Sequence, residues 1–261
     1  MQKKFSLVLG GGAARGLAHI GVIKYLEEKN ILIDEVIGTS MGSIVGACYA
    51  FGYNSRQMEE IIENTSFLKM IDFFDNEGVI KGKKMLNKLD ELFGDKKISD
   101  CSKKLKIIGT NLHNGEKKVF KKEQIKDAIR ASIALPGIIA PYKINGIKYI
   151  DGGVISNLAV EESENKNIIA VSIIRNIEKE YTSENNKGFF GLKRGSTTKI
   201  LQKTIQIMIR ENEKNSLEKS SNKNIFYIRP EFNNFNYYDF WKYKEIIQIG
   251  YNYAKENLSL K

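Results

Sequence analysis

The five residues Gly38-Thr39-Ser40-Met41-Gly42 constrain this chain more than any other stretch, because they join two elements of different type. They follow a short apolar run and open an apolar pattern with helical spacing. A Gly-x-Ser-x-Gly between a strand and a helix is typical of a nucleophile elbow, a tight turn that exposes the serine hydroxyl above a sheet. Gly38 and Gly42 keep side chains out of the turn, and Ser40 lies at a helix N-terminus, where free N–H groups favour an anion. A serine that only caps the helix would show the same letters.

Strand and helix patterns alternate along the chain with short connections, which predicts an α/β fold with a central, mostly parallel sheet and helices on both faces. The 261 residues suffice for one such domain, 1–261. We expect core motifs within 5–174, a mobile loop over 176–198, and C-terminal helices with a late strand over 199–261. The predicted strands are residues 5–9, 34–37, 105–110, 117–120, 147–150, 168–174 and 224–228. The predicted helices include residues 17–29, 41–51, 83–93, 124–132, 199–214 and 241–258.

A second motif, the glycine loop Gly10-Gly11-Gly12-Ala13-Ala14-Arg15-Gly16, follows the first strand and opens a helix. The dinucleotide fingerprint Gly-x-Gly-x-x-Gly does not fit, because its sixth position is Arg15 and the second strand ends without an acidic residue. The other interpretation is an oxyanion hole, in which backbone N–H groups of the loop donate to a developing anion. Arg15 would either hold the loop in place or attract an anionic headgroup. Taken alone, such a loop is also typical of a plain tight turn.

A serine nucleophile needs a group that accepts its proton. The chain has only two histidines, His19 and His113, and neither follows an acid in the order usual for α/β-hydrolases, so we interpret both as structural. Asp151-Gly152-Gly153 follows a short apolar strand, and Asp151 could accept the proton directly. Its ordinary pKa near 4 makes it a weak base, so we expect burial to raise that pKa. An Asp-Gly-Gly by itself is typical of a turn.

Together the three motifs resemble those of the patatin-like phospholipase family. Residues 109–112 and 130–137, with Pro141 following, are similar to stretches in bacterial members. The resemblance covers about 5–174 and implies a three-layer α/β fold, a Ser–Asp dyad without histidine, and hydrolysis of acyl esters of lipids without a metal or other cofactor. The family often has Asn-Pro after the aspartate motif, where this chain has Asn157-Leu158, and this difference affects the shape expected for the pocket.

The resemblance also implies a role for individual residues. Ser40 would be the nucleophile, Asp151 the general base, and the reaction would pass through an acyl-enzyme that water hydrolyses. The backbone N–H groups of Gly11, Gly12 and Met41 would form the oxyanion hole. We therefore expect a phospholipase A or lysophospholipase. Two alternatives stay open: transfer of the acyl group to an acceptor other than water, and a lipid-binding or regulatory protein without turnover.

The net charge of +10 and the pI near 9.3 favour anionic partners. No nucleic-acid module signature is found, so we expect no nucleic-acid partner. The resemblance implies a lipid substrate, and the charge favours peripheral contact with an anionic membrane surface, although a bias towards Lys, Asn and Ile would give the same charge. Residues 187–194 place three large apolar residues among cations, and residues 67–74 form an apolar cluster that would line an acyl pocket or pack in the core. The sequence leaves the oligomeric state open.

The apolar run at the N-terminus is too short for a signal peptide, and no run of about 18 apolar residues exists. We therefore predict a cytoplasmic protein, with contact at the inner face of the membrane. The two cysteines, Cys48 and Cys101, have neither a disulfide pattern nor metal-ligand spacing, so we expect no metal.

Overall fold

Eight strands form one sheet in this computed structural model, which describes residues 3–65, 80–174, 196–233 and 235–259. The strands are β1 (Phe5–Leu9), β2 (Ile33–Thr39), β3 (Lys104–Asn111), β4 (Lys117–Phe120), β5 (Tyr142–Ile144), β6 (Ile147–Asp151), β7 (Asn167–Val171) and β8 (Asn224–Ile228). Their order is β5-β6-β3-β2-β1-β7-β8, and β4 also pairs with β3. Strands β3, β2, β1, β7 and β8 are parallel neighbours, whereas β4 and β6 run antiparallel to β3. The predicted, mostly parallel sheet is confirmed.

The described helices lie between and after these strands along the chain, with three of them in succession between β2 and β3. They are α1 (Ala18–Glu28), α2 (Met41–Phe51), α3 (Ser55–Glu63), α4 (Lys83–Phe93), α5 (Ile125–Ser132), α6 (Ser196–Lys219) and α7 (Tyr243–Asn257). Short 3-10 helices lie at Ala13–Leu17, Ile98–Asp100, Gly152–Val154, Val160–Glu162 and Phe240–Lys242.

The two faces of the sheet are covered by different helices, as strand β1 shows. Leu7 and Leu9 point to one side, where they join a buried cluster with residues of α1, α2 and α7. Val8 points to the other side, where it packs with the segment 158–160 and with Leu217 of α6. Because both faces are buried, β1 and β7 consist almost entirely of apolar residues. The prediction of a three-layer α/β fold is therefore confirmed.

Several predicted boundaries differ from the observed ones. The strand predicted over 168–174 is β7 and ends at Val171, because only residues 168–171 pair with β1, although the apolar run continues. The helix predicted to begin near residue 17 is preceded by a 3-10 turn, Ala13–Leu17, in which the glycine loop closes. Of the loop predicted over 176–198, residues 176–195 lie outside the described residues, and the last three belong to α6. The apolar stretches 67–74 and 187–194 also lie outside them.

The sheet brings the two glycine-containing motifs to one edge. Strands β1 and β2 are parallel neighbours with Leu9 opposite Gly38, so the turns that follow them meet at their carboxyl ends. Such an edge of a parallel sheet is where ligands bind in open α/β folds. In the parts of the chain that the structure describes, no helix has the length and apolar character needed to cross a bilayer.

Candidate active site

Ser40 sits in a strained backbone conformation between β2 and α2. Its φ of 52° and ψ of −125° lie in a region that residues with a side chain rarely adopt. The turn is tight because the backbones almost touch: a Cβ on Gly42 would lie 2.2 Å from the Leu9 carbonyl oxygen, and one on Gly38 would lie 2.4 Å from the Gly42 carbonyl oxygen. These contacts explain the glycine spacing on either side of Ser40, and they give the turn the geometry of a nucleophile elbow.

The Ser40 hydroxyl donates a hydrogen bond to the Asp151 carboxylate, with Oγ and Oδ2 2.7 Å apart. Asp151 ends β6, opposite Gly109 of β3, and its other oxygen, Oδ1, accepts the Gly153 N–H at 2.7 Å. The side chain is buried, and this burial raises the pKa of Asp151 from 3.8 to about 6, although the bonds from Ser40 and Gly153 oppose the rise. The structure thus brings together two side chains that lie 111 residues apart, and it gives the carboxylate a greater affinity for protons than usual.

The glycine loop is held next to Ser40 by backbone and side-chain bonds. The Gly10 N–H donates to Val171, and the Gly10 carbonyl accepts the Nε2–H of His19 at 2.8 Å. The Gly11 N–H donates to Asn157 Oδ1 at 3.0 Å, and a Cβ on Gly11 would lie 2.7 Å from the Cβ of Ser40. A side chain at position 11 would therefore collide with Ser40.

The three predicted oxyanion donors differ in their surroundings. The Gly11 N–H is bound to Asn157, so a role in an oxyanion hole would require it to exchange that bond for the oxyanion, and this role stays a prediction. Gly12 precedes the 3-10 helix Ala13–Leu17, and Met41 is the first residue of α2, so neither N–H has an acceptor inside its helix. The Ser40 N–H itself donates to Ser132 Oγ at 2.8 Å.

The remaining motif residues hold the loops in place. Arg15 is buried and donates from Nε and Nη2 to the Phe235 carbonyl at 3.0 and 2.8 Å, and it stacks on Tyr237 at 3.9 Å. Of the two roles considered for Arg15, these contacts support holding the loop. Gly16 leaves room for Met41, and Gly152 leaves room for the backbone of β3, because a Cβ at either position would lie 2.3 Å from an atom there.

An apolar cavity of about 380 Å³ extends from the Ser40–Asp151 pair. Along α2 its lining residues recur with helical spacing: Met41, Ile44, Val45 and Cys48. Since a helix rises 1.5 Å per residue, Cys48 lies about 12 Å from Ser40 along this helix. Other lining residues come from α3, α4, the segment 133–139 and the turn 238–243. A cavity of this form suits a long apolar ligand with its reacting group at Ser40.

The histidines lie outside the serine–carboxylate pair. His19 is fully buried, which lowers its pKa to about 4, and it bonds to Gly10, whereas His113 is exposed in a turn after β3. Within residues 3–65, 80–174, 196–233 and 235–259, no group of three or more His, Cys, Asp and Glu side chains is arranged to hold a metal ion.

Three side chains outside the predicted site residues also support the site. Ser132 accepts the Ser40 N–H and donates to the Ile108 carbonyl at 2.6 Å. Asn157 bridges Gly11 and Glu213 of α6. Ser132 lies inside the stretch 130–137, which resembles bacterial members, and Asn157 matches the first residue of the Asn-Pro pattern, from which the chain departs at Leu158. Nothing in the sequence of α6 singled out Glu213.

Ser40 lies at a strained strand–helix turn of an α/β sheet, and its hydroxyl donates a hydrogen bond to a buried aspartate in the lining of an apolar cavity. These features define the class of proteins with a nucleophile elbow and a Ser–Asp pair. The family model described as Patatin-like phospholipase matches residues 7–163. This chain therefore belongs to the patatin-like phospholipase family.

Similar proteins come from fungi and bacteria. Lysophospholipase NTE1 of Meyerozyma guilliermondii is 32% identical over 271 residues, which cover 96% of this chain and 19% of that protein. An uncharacterised NTE family protein of Mycobacterium tuberculosis is 33% identical over 158 residues, or 59% of this chain and 44% of that protein. The chain thus spans about a fifth of the length of the NTE1 relative it matches.

The fold also resembles that of a solved structure. The crystal structure of VipD from Legionella pneumophila superposes with a TM-score of 0.54 at 15% identity, over 98% of this chain and 66% of that one. This likeness supports the three-layer fold.

Proposed function

We propose that this chain hydrolyses carboxylic esters of phospholipids or lysophospholipids through Ser40 and Asp151. The observation that carries the proposal is the 2.7 Å hydrogen bond between Ser40 Oγ and Asp151 Oδ2 at the apolar cavity that both residues line. Family membership supports lipid as the substrate class.

In the first half of the reaction, Ser40 Oγ attacks the ester carbonyl carbon while Asp151 takes the hydroxyl proton. The carbonyl oxygen becomes an oxyanion, which the N–H groups of Gly12 and Met41 stabilise, with Gly11 added if it exchanges its bond to Asn157. When the carbon–oxygen bond to the leaving group breaks, Asp151 returns the proton to the leaving oxygen. The acyl group then remains on Ser40 as an ester.

In the second half, a water molecule attacks the acyl-enzyme. Asp151 takes a proton from the water as it adds to the carbonyl carbon, and returns it to Ser40 Oγ as the acyl group leaves as a carboxylic acid. A pKa raised to about 6 suits this alternation, because the carboxylate is ionised at neutral pH and yet more basic than an exposed aspartate.

The apolar cavity would bind the acyl chain. Each buried methylene contributes about 0.8 kcal/mol to transfer from water, so esters with long acyl chains should bind more tightly than acetyl esters. Met41, Ile44 and Cys48 would contact successive parts of the chain.

Contact with an anionic membrane surface forms a second part of the proposal. The net charge of +10 would draw the protein to anionic lipid. Binding to vesicles of anionic phospholipid should exceed binding to neutral ones at low salt, and equal binding to both would remove this electrostatic part. A cytoplasmic location at the inner face of the membrane stays a prediction.

The decisive assay measures fatty acid released from a panel of lysophospholipids and phospholipids. Ser40→Ala should abolish release, whereas Ser102→Ala, which removes a hydroxyl that does not line the cavity, should leave it unchanged. Product analysis separates hydrolysis, which gives free acid, from transfer to another acceptor. A folded wild-type chain that releases no acid, and whose Ser40 does not react with a fluorophosphonate, would refute the proposal in favour of a lipid-binding role.

A further inference from the structure

Glu213 of α6 is a buried carboxylate that contacts the support of the glycine loop. It is 6% exposed. Its two oxygens accept hydrogen bonds from two donors, Asn157 Nδ2 at 2.7 Å and Ser172 Oγ at 2.7 Å. A Cβ on Gly10 would lie 3.5 Å from Glu213 Oε1, so the carboxylate also lies against the loop itself. A carboxylate retained at such a depth, far along the chain from the motifs, calls for a role.

Asn157 relays this contact to Gly11. Its Oδ1 accepts the Gly11 N–H at 3.0 Å, while its Nδ2 faces Glu213 and also the Gly11 carbonyl at 3.4 Å. The two ends of an amide are not equivalent, because one only accepts and the other only donates. Burial raises the pKa of Glu213, although the hydrogen bonds from Asn157 and Ser172 and the charge of Arg229 oppose the rise. In its ionised form Glu213 only accepts, so it requires Nδ2 on its side. The acceptor Oδ1 is then left for the Gly11 N–H.

The orientation of the Gly11 peptide matters because this residue is in van der Waals contact with the nucleophile. A Cβ on Gly11 would lie 2.7 Å from Ser40 Cβ and 2.7 Å from Asn157 Oδ1, so the loop passes between the two side chains. The next residue, Gly12, carries an N–H that the proposed reaction needs. The Gly11 N–H and the Gly12 N–H belong to successive peptides joined at the Gly11 Cα, so a change of the backbone angles at Gly11 would displace the Gly12 N–H. A displacement of about 1 Å can lower a rate about 100-fold.

We propose that Glu213 is a positioning residue, which through Asn157 fixes the Gly11 peptide and so holds the glycine loop in the geometry required for the oxyanion. The inference rests on the proposed function, and it makes α6 part of the active site's support. Glu213 itself does not touch the substrate.

The test begins with Glu213→Gln, which keeps the size of the side chain and replaces one acceptor by a donor. If the new Nε2 faces Asn157, Asn157 must turn, and it then presents Nδ2 to the Gly11 N–H. Because the Ser172 hydroxyl can accept as well as donate, the amide could instead place Nε2 towards Ser172, so a second variant, Glu213→Leu, removes both acceptors at once. We expect kcat for ester hydrolysis to fall about 10- to 100-fold with KM changed little, because the loss concerns an interaction made in the transition state.

The double variant Asn157→Asp, Glu213→Gln exchanges donor and acceptor between the two positions. The carboxylate at position 157 accepts from Gly11 and from the amide at position 213, so the chain of hydrogen bonds from the Gly11 N–H to position 213 is restored, whereas the longer contact to the Gly11 carbonyl is lost. We expect kcat to recover about 10-fold from the worse single variant, a coupling that a double-mutant cycle measures. Glu211→Gln, on the exposed side of the same helix, is the matched control and should behave as the wild type.

Hydrogen exchange at the Gly11 amide provides a measurement independent of activity. The bond to Asn157 should protect this amide in the wild type and in the double variant, and Glu213→Gln should lose the protection. Wild-type kcat and protection in both Glu213→Gln and Glu213→Leu, or a double variant no better than the worse single one, would overturn the inference. A wild type without hydrolysis would refute the proposed function, and the exchange rates would still decide whether Glu213 fixes the loop.

Discussion

Two buried carboxylates lie at opposite ends of the parallel strands, and their surroundings differ. Near the amino ends, Glu35 of β2 is 1% exposed and pairs with Lys106 Nζ of β3 at 2.7 Å. It also accepts the Glu164 N–H at 2.9 Å and the Ser6 hydroxyl. Towards the carboxyl ends, Asp151 accepts only a hydroxyl and one N–H, and it forms no ion pair with any residue that the structure describes.

The comparison shows how one sheet can hold two buried carboxylates that differ in their affinity for protons. A buried charge is tolerated when an opposite charge and hydrogen bonds compensate for its lost hydration, as they do for Glu35. Without a cation, burial instead raises the pKa of Asp151 to about 6. The uncompensated carboxylate therefore has the higher proton affinity that the proposed base requires, in keeping with the clustering of perturbed pKa values at functional sites.

The largest effect is expected from Asp151→Asn. The amide cannot take the Ser40 proton, so kcat/KM for ester hydrolysis should fall about 10⁴-fold or more. The measurement is fatty-acid release per mole of protein, with circular dichroism as the check on folding. A variant that keeps wild-type turnover would show that the two carboxylates do not differ in the way proposed.

At the other end of the sheet, Lys106→Met should affect stability and spare chemistry. It leaves Glu35 buried without its cation, so the free energy of unfolding should fall by about 3–5 kcal/mol in denaturant titrations. Lys104→Met is the matched control: its side chain is 65% exposed, and its surface pair with Glu164 should contribute less than about 1 kcal/mol. Equal losses in the two variants would contradict the compensating role of Lys106.

The free energy of unfolding should also depend on pH, because Asp151 binds its proton with different affinity in the folded and unfolded chain. The folded chain holds the proton of this carboxyl more tightly than the unfolded chain, whose pKa is near 3.8. That contribution to stability is present at low pH and is lost as pH rises from about 4 to about 6. Over this range Asp151→Asn should gain about 3 kcal/mol relative to the wild type. A constant difference between the two unfolding free energies across these pH values would contradict the raised pKa.

The smallest effect concerns the preference for acyl-chain length, which should depend on the cavity and not on the Glu35–Lys106 pair at the other end of the sheet. Cys48→Trp would fill the cavity about 12 Å along α2 from Ser40. Hydrolysis of long-chain esters should fall about 10-fold relative to butyryl esters, because a few methylenes lose their apolar surroundings. Cys101→Trp, at a position that does not line the cavity, should leave this ratio unchanged.

Much of the fold and the central pair of the site could be predicted from the sequence, because local patterns determine them. The spacing of the glycines around Ser40 reflects a turn that only glycines permit. Asp151 is the last residue of a short strand, which ends beside that turn. The bond between Asn157 and Glu213 links residues 56 positions apart on elements with no motif, so no periodicity could have revealed it. The last residue of β7 is set by its pairing with β1, and the sequence of an apolar run does not show where such pairing ends. That residues 1–261 form one domain stays a prediction.

The central claim is that the Asp151 carboxylate activates the Ser40 hydroxyl. The rate at which a fluorophosphonate labels the protein, followed across pH with the labelled residue found by mass spectrometry, tests it most directly. We predict labelling at Ser40 alone, with a rate that rises with pH about a midpoint near 6 and that falls by orders of magnitude in Asp151→Asn. A rate independent of pH, or equal labelling in the wild type and the variant, would contradict the account.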